Sequence, residues 1–138
     1  MPLPERPSLQ PPDDSVKTIL VVEDDRTTGK VLCSIIEDET PHRVALASDG
    51  AQALDIVRSI QPDLFVLDYL LPDMNGVELY QHLRRMKQGS AIPTIFLTVV
   101  REEFPELLSP HTWVLRKPFQ LDDFLAMLAH ILESPSTE

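Results

Sequence analysis

The chain is poor in cysteine, in basic residues and in long apolar runs, and each shortage removes a class of function. A single cysteine, Cys33, among 138 residues cannot close an internal disulfide and has no second thiol for a CxxC metal or redox site. Nothing therefore calls for an oxidising compartment, a cytoplasmic address is expected, and Cys33 reads as a small core residue. Twelve Lys+Arg against 22 Asp+Glu leave a net charge of -10. That balance disfavours nonspecific binding to nucleic acid or to an anionic membrane and favours cationic partners or metal ions. The longest apolar stretches, near residues 64–67 and 92–100, fall far short of the roughly 20 residues that a bilayer-spanning helix needs. No signal-peptide apolar run opens the chain, so neither secretion nor membrane insertion is expected. The histidines, at positions 42, 82, 111 and 130, show no ligand spacing, and none is assigned to a metal or to phosphotransfer.

What is present is enough for one folded domain: 43% hydrophobic and 25% charged residues lie within the range of globular proteins. Residues 1–15 hold five of the 13 prolines and almost no large apolar side chains, a composition that predicts a disordered Pro-rich tail. Residues 134–138 read as a frayed C-terminus, which leaves 16–133 as the domain. Within it, short apolar runs alternate with helix-period segments, the signal for βαβ units and a parallel sheet. Strands are predicted at 18–22 (TILVV), 44–47 (VALA), 64–67 (LFVL), 94–97 (TIFL) and 113–115 (WVL), continuous as expected for strands covered on both faces. Helix faces are marked by Val31, Leu32, Ile35 and Ile36, by Ala53, Leu54 and Val57, by Leu79, Leu83 and Met86, and by Leu121, Phe124, Leu125, Leu128, Ile131 and Leu132. Asp25 and Asp49 are placed to cap the first two helices. Between residues 97 and 113, Pro105 and Pro110 leave room only for a shortened or distorted fourth helix.

In a parallel α/β sheet, ligand chemistry collects outside the carboxyl ends of the strands. Here those ends carry Glu23, Asp24 and Asp25, then Asp68, then Thr98, then Lys117. Crowded carboxylates raise one another's pKa unless a cation intervenes. Mg²⁺ suits them, because it takes oxygen ligands, keeps several waters and needs only two carboxylates and one backbone carbonyl from the protein. An aspartate beside such an ion, with a lysine and a hydroxyl nearby, can act as nucleophile towards a phosphoryl group and become an aspartyl phosphate. Asp68 is the candidate for that carboxylate. Asp73, within PDMNG, reads as a turn residue and not as a ligand.

The stretches ILVVEDD (19–25), PDLFVLDYLLPDMNG (62–76), PTIFLT (93–98) and RKPF (116–119) together resemble a response regulator receiver domain, similar to the single-domain chemotaxis type, over about residues 17–133. The resemblance implies a flavodoxin-like, doubly wound five-stranded parallel sheet of order 2-1-3-4-5. It also implies that Asp68 is the phosphoacceptor, that Asp24 and Asp68 bind Mg²⁺ directly, that Glu23 acts on the metal through water, and that the Leu70 carbonyl completes the protein's ligands. Thr98 would be the switch hydroxyl, Lys117 the lysine that contacts the phosphoryl group, and Lys117-Pro118 a candidate cis bond. The phosphoryl donor would be a histidine kinase or histidine phosphotransfer protein. With no output domain after residue 133, the signal is expected to pass to a separate protein partner. Such a module is a phosphoacceptor that catalyses its own modification with Mg²⁺ and is not a turnover enzyme.

Three positions depart from the family pattern. The switch aromatic is expected three residues before the lysine, where this chain has Val114, with Trp113 one place earlier. Val99 follows Thr98 where a smaller residue is usual, which predicts restricted access to Asp68 and slow dephosphorylation. The span from Thr98 to Lys117 is short by about one helical turn. These departures motivate an alternative, a phosphorylation-independent protein-binding module on the same fold. A haloacid-dehalogenase-like phosphohydrolase would want a second acid two residues after the nucleophile, where Leu70 stands. A flavodoxin-like FMN carrier would have to seat phosphate against Glu23, Asp24 and Asp25.

Overall fold

The computed structural model describes residues 16–86, 92–99 and 111–133. Along the chain run β1 (Thr18–Val22), α1 (Arg26–Glu39), β2 (Arg43–Ala47), α2 (Gly50–Ile56), β3 (Leu64–Asp68), α3 (Gly76–Met86), β4 (Thr94–Thr98), β5 (Thr112–Arg116) and α4 (Leu121–Glu133). The strands form one sheet in the order β2-β1-β3-β4-β5, and every neighbouring pair is parallel. This is the doubly wound, flavodoxin-like order expected from the resemblance. The expected Pro-rich tail (1–15), the frayed end (134–138) and most of the span between β4 and β5, where a shortened fourth helix is expected, lie outside the described residues.

Alternation along the strands builds two cores. On one face, Leu20, Val22, Phe65, Leu67 and Phe96 pack with Ala53 of α2 and Val77, Leu79 and Leu83 of α3. On the other, Ile19, Val21, Leu64, Val66, Ile95 and Leu97 pack with Leu32 and Ile36 of α1 and Phe124 and Leu128 of α4. The central strands β3 and β4 are buried along their whole length, which is why their sequences are apolar at successive positions instead of alternating.

Three residues assigned to buried helix faces are exposed. Val31 in α1 is 51% accessible, and Met86 and Leu121 are open as well. Val31 and Leu121 line a cleft between α1 and the start of α4, together with Ile35 and Phe119, while Met86 is the last residue of α3. Helical period locates an apolar stripe, but the sheet covers only its centre. Cys33, expected in the core, is half-buried, and burial together with the Glu37 charge pushes its thiol pKa up.

The caps form as the sequence predicts. Asp25 accepts from the Thr28 N–H at the start of α1, and Asp49 accepts from the Gln52 N–H at the start of α2. At α3, Asn75 and Glu78 bond reciprocally, each side chain accepting from the other's backbone N–H at 2.9 Å. This is a capping box built on asparagine.

Candidate functional site

The strand order reverses between β1 and β3, and a ligand crevice opens where such a reversal occurs, outside the carboxyl ends of the strands. β1 delivers Glu23 and Asp24 to this edge, and β3 ends on Asp68. Parallel pairing brings Asp68 opposite Leu97, which puts Thr98 one step beyond it. Thr98 in turn pairs with Arg116, and its carbonyl accepts the Lys117 N–H at 2.7 Å. Residues up to 94 positions apart in sequence are thereby brought to one edge by strand register.

Carboxylate oxygens of Glu23, Asp24 and Asp68 all lie within 4.8 Å of one another. Glu23 and Asp68 are buried, Asp68 being 7% accessible, whereas Asp24 is exposed. The Lys117 ammonium sits between the buried pair, 2.9 Å from Glu23 Oε1 and 3.4 Å from Asp68 Oδ2. The other oxygen of Glu23 accepts the Asp25 N–H at 3.2 Å. Asp25 itself turns away to cap α1, where Thr28, through its hydroxyl and its N–H, holds the Asp25 carboxyl below its ordinary value. Of the three consecutive acids, two face the crevice and the third closes a helix.

The electrostatics are those of crowded carboxylates sharing one ammonium. Burial, and then the neighbouring Glu23 carboxylate, push the Asp68 pKa up to about 7 against the opposing pull of Lys117. Burial alone would lower the Lys117 pKa, but its hydrogen bond to Glu23 and the two carboxylate charges more than offset this and hold it raised. One ammonium does not neutralise three crowded carboxylates. A hard divalent cation with oxygen ligands fits the donor set in chemistry and spacing.

Leu70 and Val99 flank this edge with side chains 54% and 60% accessible. Leu70 bridges to Asn75 across the β3–α3 loop, and Thr98 is buried at the end of β4. The Lys117-Pro118 peptide is cis. Val114 packs with the α2/α3 core, while Trp113 packs with the α1/α4 core. Trp113 is therefore on the wrong side of the sheet to replace an aromatic at position 114.

The sequence reading missed three polar residues that shape this framework. Asp73 does sit in a turn, but its carboxylate also reaches across to the start of α2, accepting from the Gly50 and Ala51 N–H groups at 2.9 Å each. At the opposite end of the sheet, Asp63 and Thr18 exchange hydrogen bonds. Buried His42 accepts the Lys17 N–H on Nδ1 at 3.0 Å. Their partners are backbone groups 22 to 45 residues away, which no local motif announces. Gly76 was visible as part of PDMNG but not explained: a Cβ there would lie 2.7 Å from the Asp68 carbonyl oxygen.

Comparison with known proteins agrees with this fold. The family profile described as the response regulator receiver domain matches residues 19–129. Response regulator MprA of Mycobacterium avium (strain 104) is 35% identical over 123 residues, covering 87% of this chain and 53% of the relative. MprA of Mycobacterium tuberculosis (strain ATCC 25177 / H37Ra) matches to the same degree, with 52% of its length covered. The chain thus spans about half the length of these curated relatives. Among solved structures, a chemotaxis response regulator of Vibrio cholerae superposes with a TM-score of 0.77 at 24% identity, covering 84% of this chain and 98% of that one. The receiver domain of a sensor histidine kinase from Pseudomonas aeruginosa, solved with a magnesium ion coordinated in its active-site cleft, gives 0.75 at 25% identity, with coverages of 86% and 99%.

Proposed function

The chain belongs to the response regulator receiver domain family of two-component systems, and from that premise we propose that it is a phosphoacceptor that takes a phosphoryl group onto Asp68 from a phosphohistidine. The donor is a histidine kinase or a histidine phosphotransfer protein. The observation that carries this reading is the Glu23–Lys117–Asp68 arrangement, in which the buried Asp68 carboxylate and a half-buried ammonium lie 3.4 Å apart next to two further acids. Among the described residues no helix is long and apolar enough to cross a membrane.

In the transfer step, an oxygen of Asp68 attacks phosphorus while the phosphorus–nitrogen bond of the donor breaks. The bonding electron pair stays on the imidazole nitrogen, and the product is an acyl phosphate on Asp68. Asp24, Asp68 and the Leu70 carbonyl would hold Mg²⁺, with Glu23 acting through a water, and the ion supplies neutralisation of charge on the transferring oxygens. Lys117 keeps its ammonium at the Asp68 carboxylate, within reach of an oxygen carried there, and so stabilises the charge that gathers on the phosphoryl group. Thr98 donates its hydroxyl to the same group. Val99, next to Thr98 in the chain and exposed, stands where a smaller residue is usual, and we take it to slow hydrolysis of the phosphoryl group. The protein is consumed stoichiometrically by the modification and is not a turnover enzyme.

The second reading is a binding module that works without phosphorylation. It draws on Val114, which supplies no aromatic on the α2/α3 side of β5. Treatment with phosphoramidate and Mg²⁺, followed by borohydride reduction and peptide mapping, separates the two. Reduction to homoserine at position 68 is expected; modification at any other residue contradicts the site assignment. If position 68 is modified but no amide shift beyond the crevice changes, the binding-module reading gains over a phospho-switch.

A further inference from the structure

The loop joining β3 to α3, already bridged internally between Leu70 and Asn75, is pinned at three further places. At its base, the Gly76 N–H bonds to the Tyr69 carbonyl at 2.7 Å, and Gly76 approaches the Asp68 carbonyl so closely that no side chain fits. At its exit, the Asn75–Glu78 capping box fixes the first turn of α3. At its tip, Asp73 accepts the Gly50 N–H on one carboxylate oxygen and the Ala51 N–H on the other, and Met74 packs against Gly50, where a Cβ would meet its sulfur at 2.6 Å. Both ends of this tip contact are ordered by other groups. The start of α2 follows directly on β2, whose last carbonyl, on Ala47, accepts the Glu23 N–H at 3.0 Å. The Asp73 carboxylate thus ties the loop carrying Leu70 to the start of α2, three residues beyond the strand end that bonds Glu23.

We infer that Asp73 is a positioning residue for the phosphoacceptor site: by clamping the β3–α3 loop to the start of α2, it sets the Leu70 carbonyl relative to Glu23, Asp24 and Asp68. The inference rests on the reading of these residues as a Mg²⁺ site. The clamp is charge-assisted, since backbone hydrogen bonds from Gly50 and Ala51 hold the Asp73 carboxyl below its ordinary value and bonds of this kind are the stronger class. Asp73 itself touches neither metal nor phosphoryl group; its effect passes through the loop backbone. Partners hydrogen-bonded directly to a metal ligand are typically worth about 10- to 100-fold in metal affinity, and Asp73, acting at one remove, belongs at the lower end of that range.

The test is a Mg²⁺ titration of the full chain, followed by the amide shifts of residues 24, 68 and 70, for the parent, Asp73→Asn, Asp73→Ala and Ile36→Val. The last is a core change in α1 that serves as a control for lost stability. Denaturation midpoints are recorded alongside. The expected result is an affinity about tenfold weaker in Asp73→Ala, an intermediate value in Asp73→Asn, which keeps one acceptor, and an unchanged value in Ile36→Val. Phosphorylation by acetyl phosphate should recover in the Asp73 variants when Mg²⁺ is raised to saturation. If Asp73→Ala loses stability but binds Mg²⁺ as tightly as the parent, the clamp is structural only and the inference fails. Should Asp73→Ala not fold, Asp73→Asn decides by the same criterion. If the parent binds no Mg²⁺, the reading of the site itself is wrong and the positioning role falls with it.

Discussion

At the scale of single residues, the buried groups give the protein a pH dependence with a definite sign. Asp68 has a folded pKa of about 7 against an ordinary value of 3.8, so between those values the folded state holds a proton that the unfolded state has lost. The associated stability is complete below about pH 4 and is lost as the pH rises through about 7. Metal-free protein should therefore become less stable from pH 5 to pH 8 through this residue, and Mg²⁺ should remove the loss. Asp68→Asn, with no charge to bury, should stabilise the metal-free chain at pH 8 by about 1–3 kcal/mol; urea midpoints across this range check it. His42 acts in the opposite direction. Burial lowers its pKa below the ordinary 6.5, and its Nδ1 must remain an acceptor for the Lys17 N–H. Its contribution is complete above 6.5 and is lost as the pH falls through the folded value. Replacing His42 by Gln should flatten the acid limb of the stability curve, as read from the same midpoints. Of these residues, the runs at the strand ends made Glu23, Asp24, Asp68, Thr98 and Lys117 legible. His42, Asp63 and Asp73 were not, because each is defined by a distant backbone partner and not by its sequence neighbours.

At the scale of elements, local rules account for most of what forms. Strand runs, the two aspartate caps and the α4 stripe all appear where propensity and periodicity put them, with boundaries shifted by a residue at β2, β3, β4 and both ends of β5. Helical period could not say how wide a stripe the sheet would cover, which is why Val31, Met86 and Leu121, read as marking apolar helix faces, are exposed. The β3–α3 connection is the element on which the site depends most. Gly76→Ala places a methyl against a backbone carbonyl that cannot give way without moving Asp68. A loss of about 1–3 kcal/mol is expected, together with weaker phosphorylation. Asn75→Ala removes one half of the α3 capping box and should cost about 1 kcal/mol with a smaller effect on the site. Thermal unfolding combined with extent of phosphorylation ranks the two; an Asn75 variant more impaired in phosphorylation than the Gly76 variant would contradict this account of the loop.

At the scale of the whole molecule, the fold is a way of bringing four strand ends to one edge. Two apolar cores on opposite faces hold the sheet, and the reversal of strand order between β1 and β3 leaves the crevice in which three carboxylates and one lysine meet. The βαβ alternation made the sheet legible, and the resemblance supplied its strand order; covering helices and register then determine which strand-end residues converge. The central claim is that this convergence makes Asp68 a metal-dependent phosphoacceptor. It is tested most directly by intact mass after incubation with acetyl phosphate, with and without Mg²⁺, for the parent chain and Asp68→Asn. The account predicts a gain of one phosphoryl group in the parent with Mg²⁺ only, and none in the variant. An equal gain in Asp68→Asn, or no gain in the parent under conditions that modify another receiver domain, would contradict it.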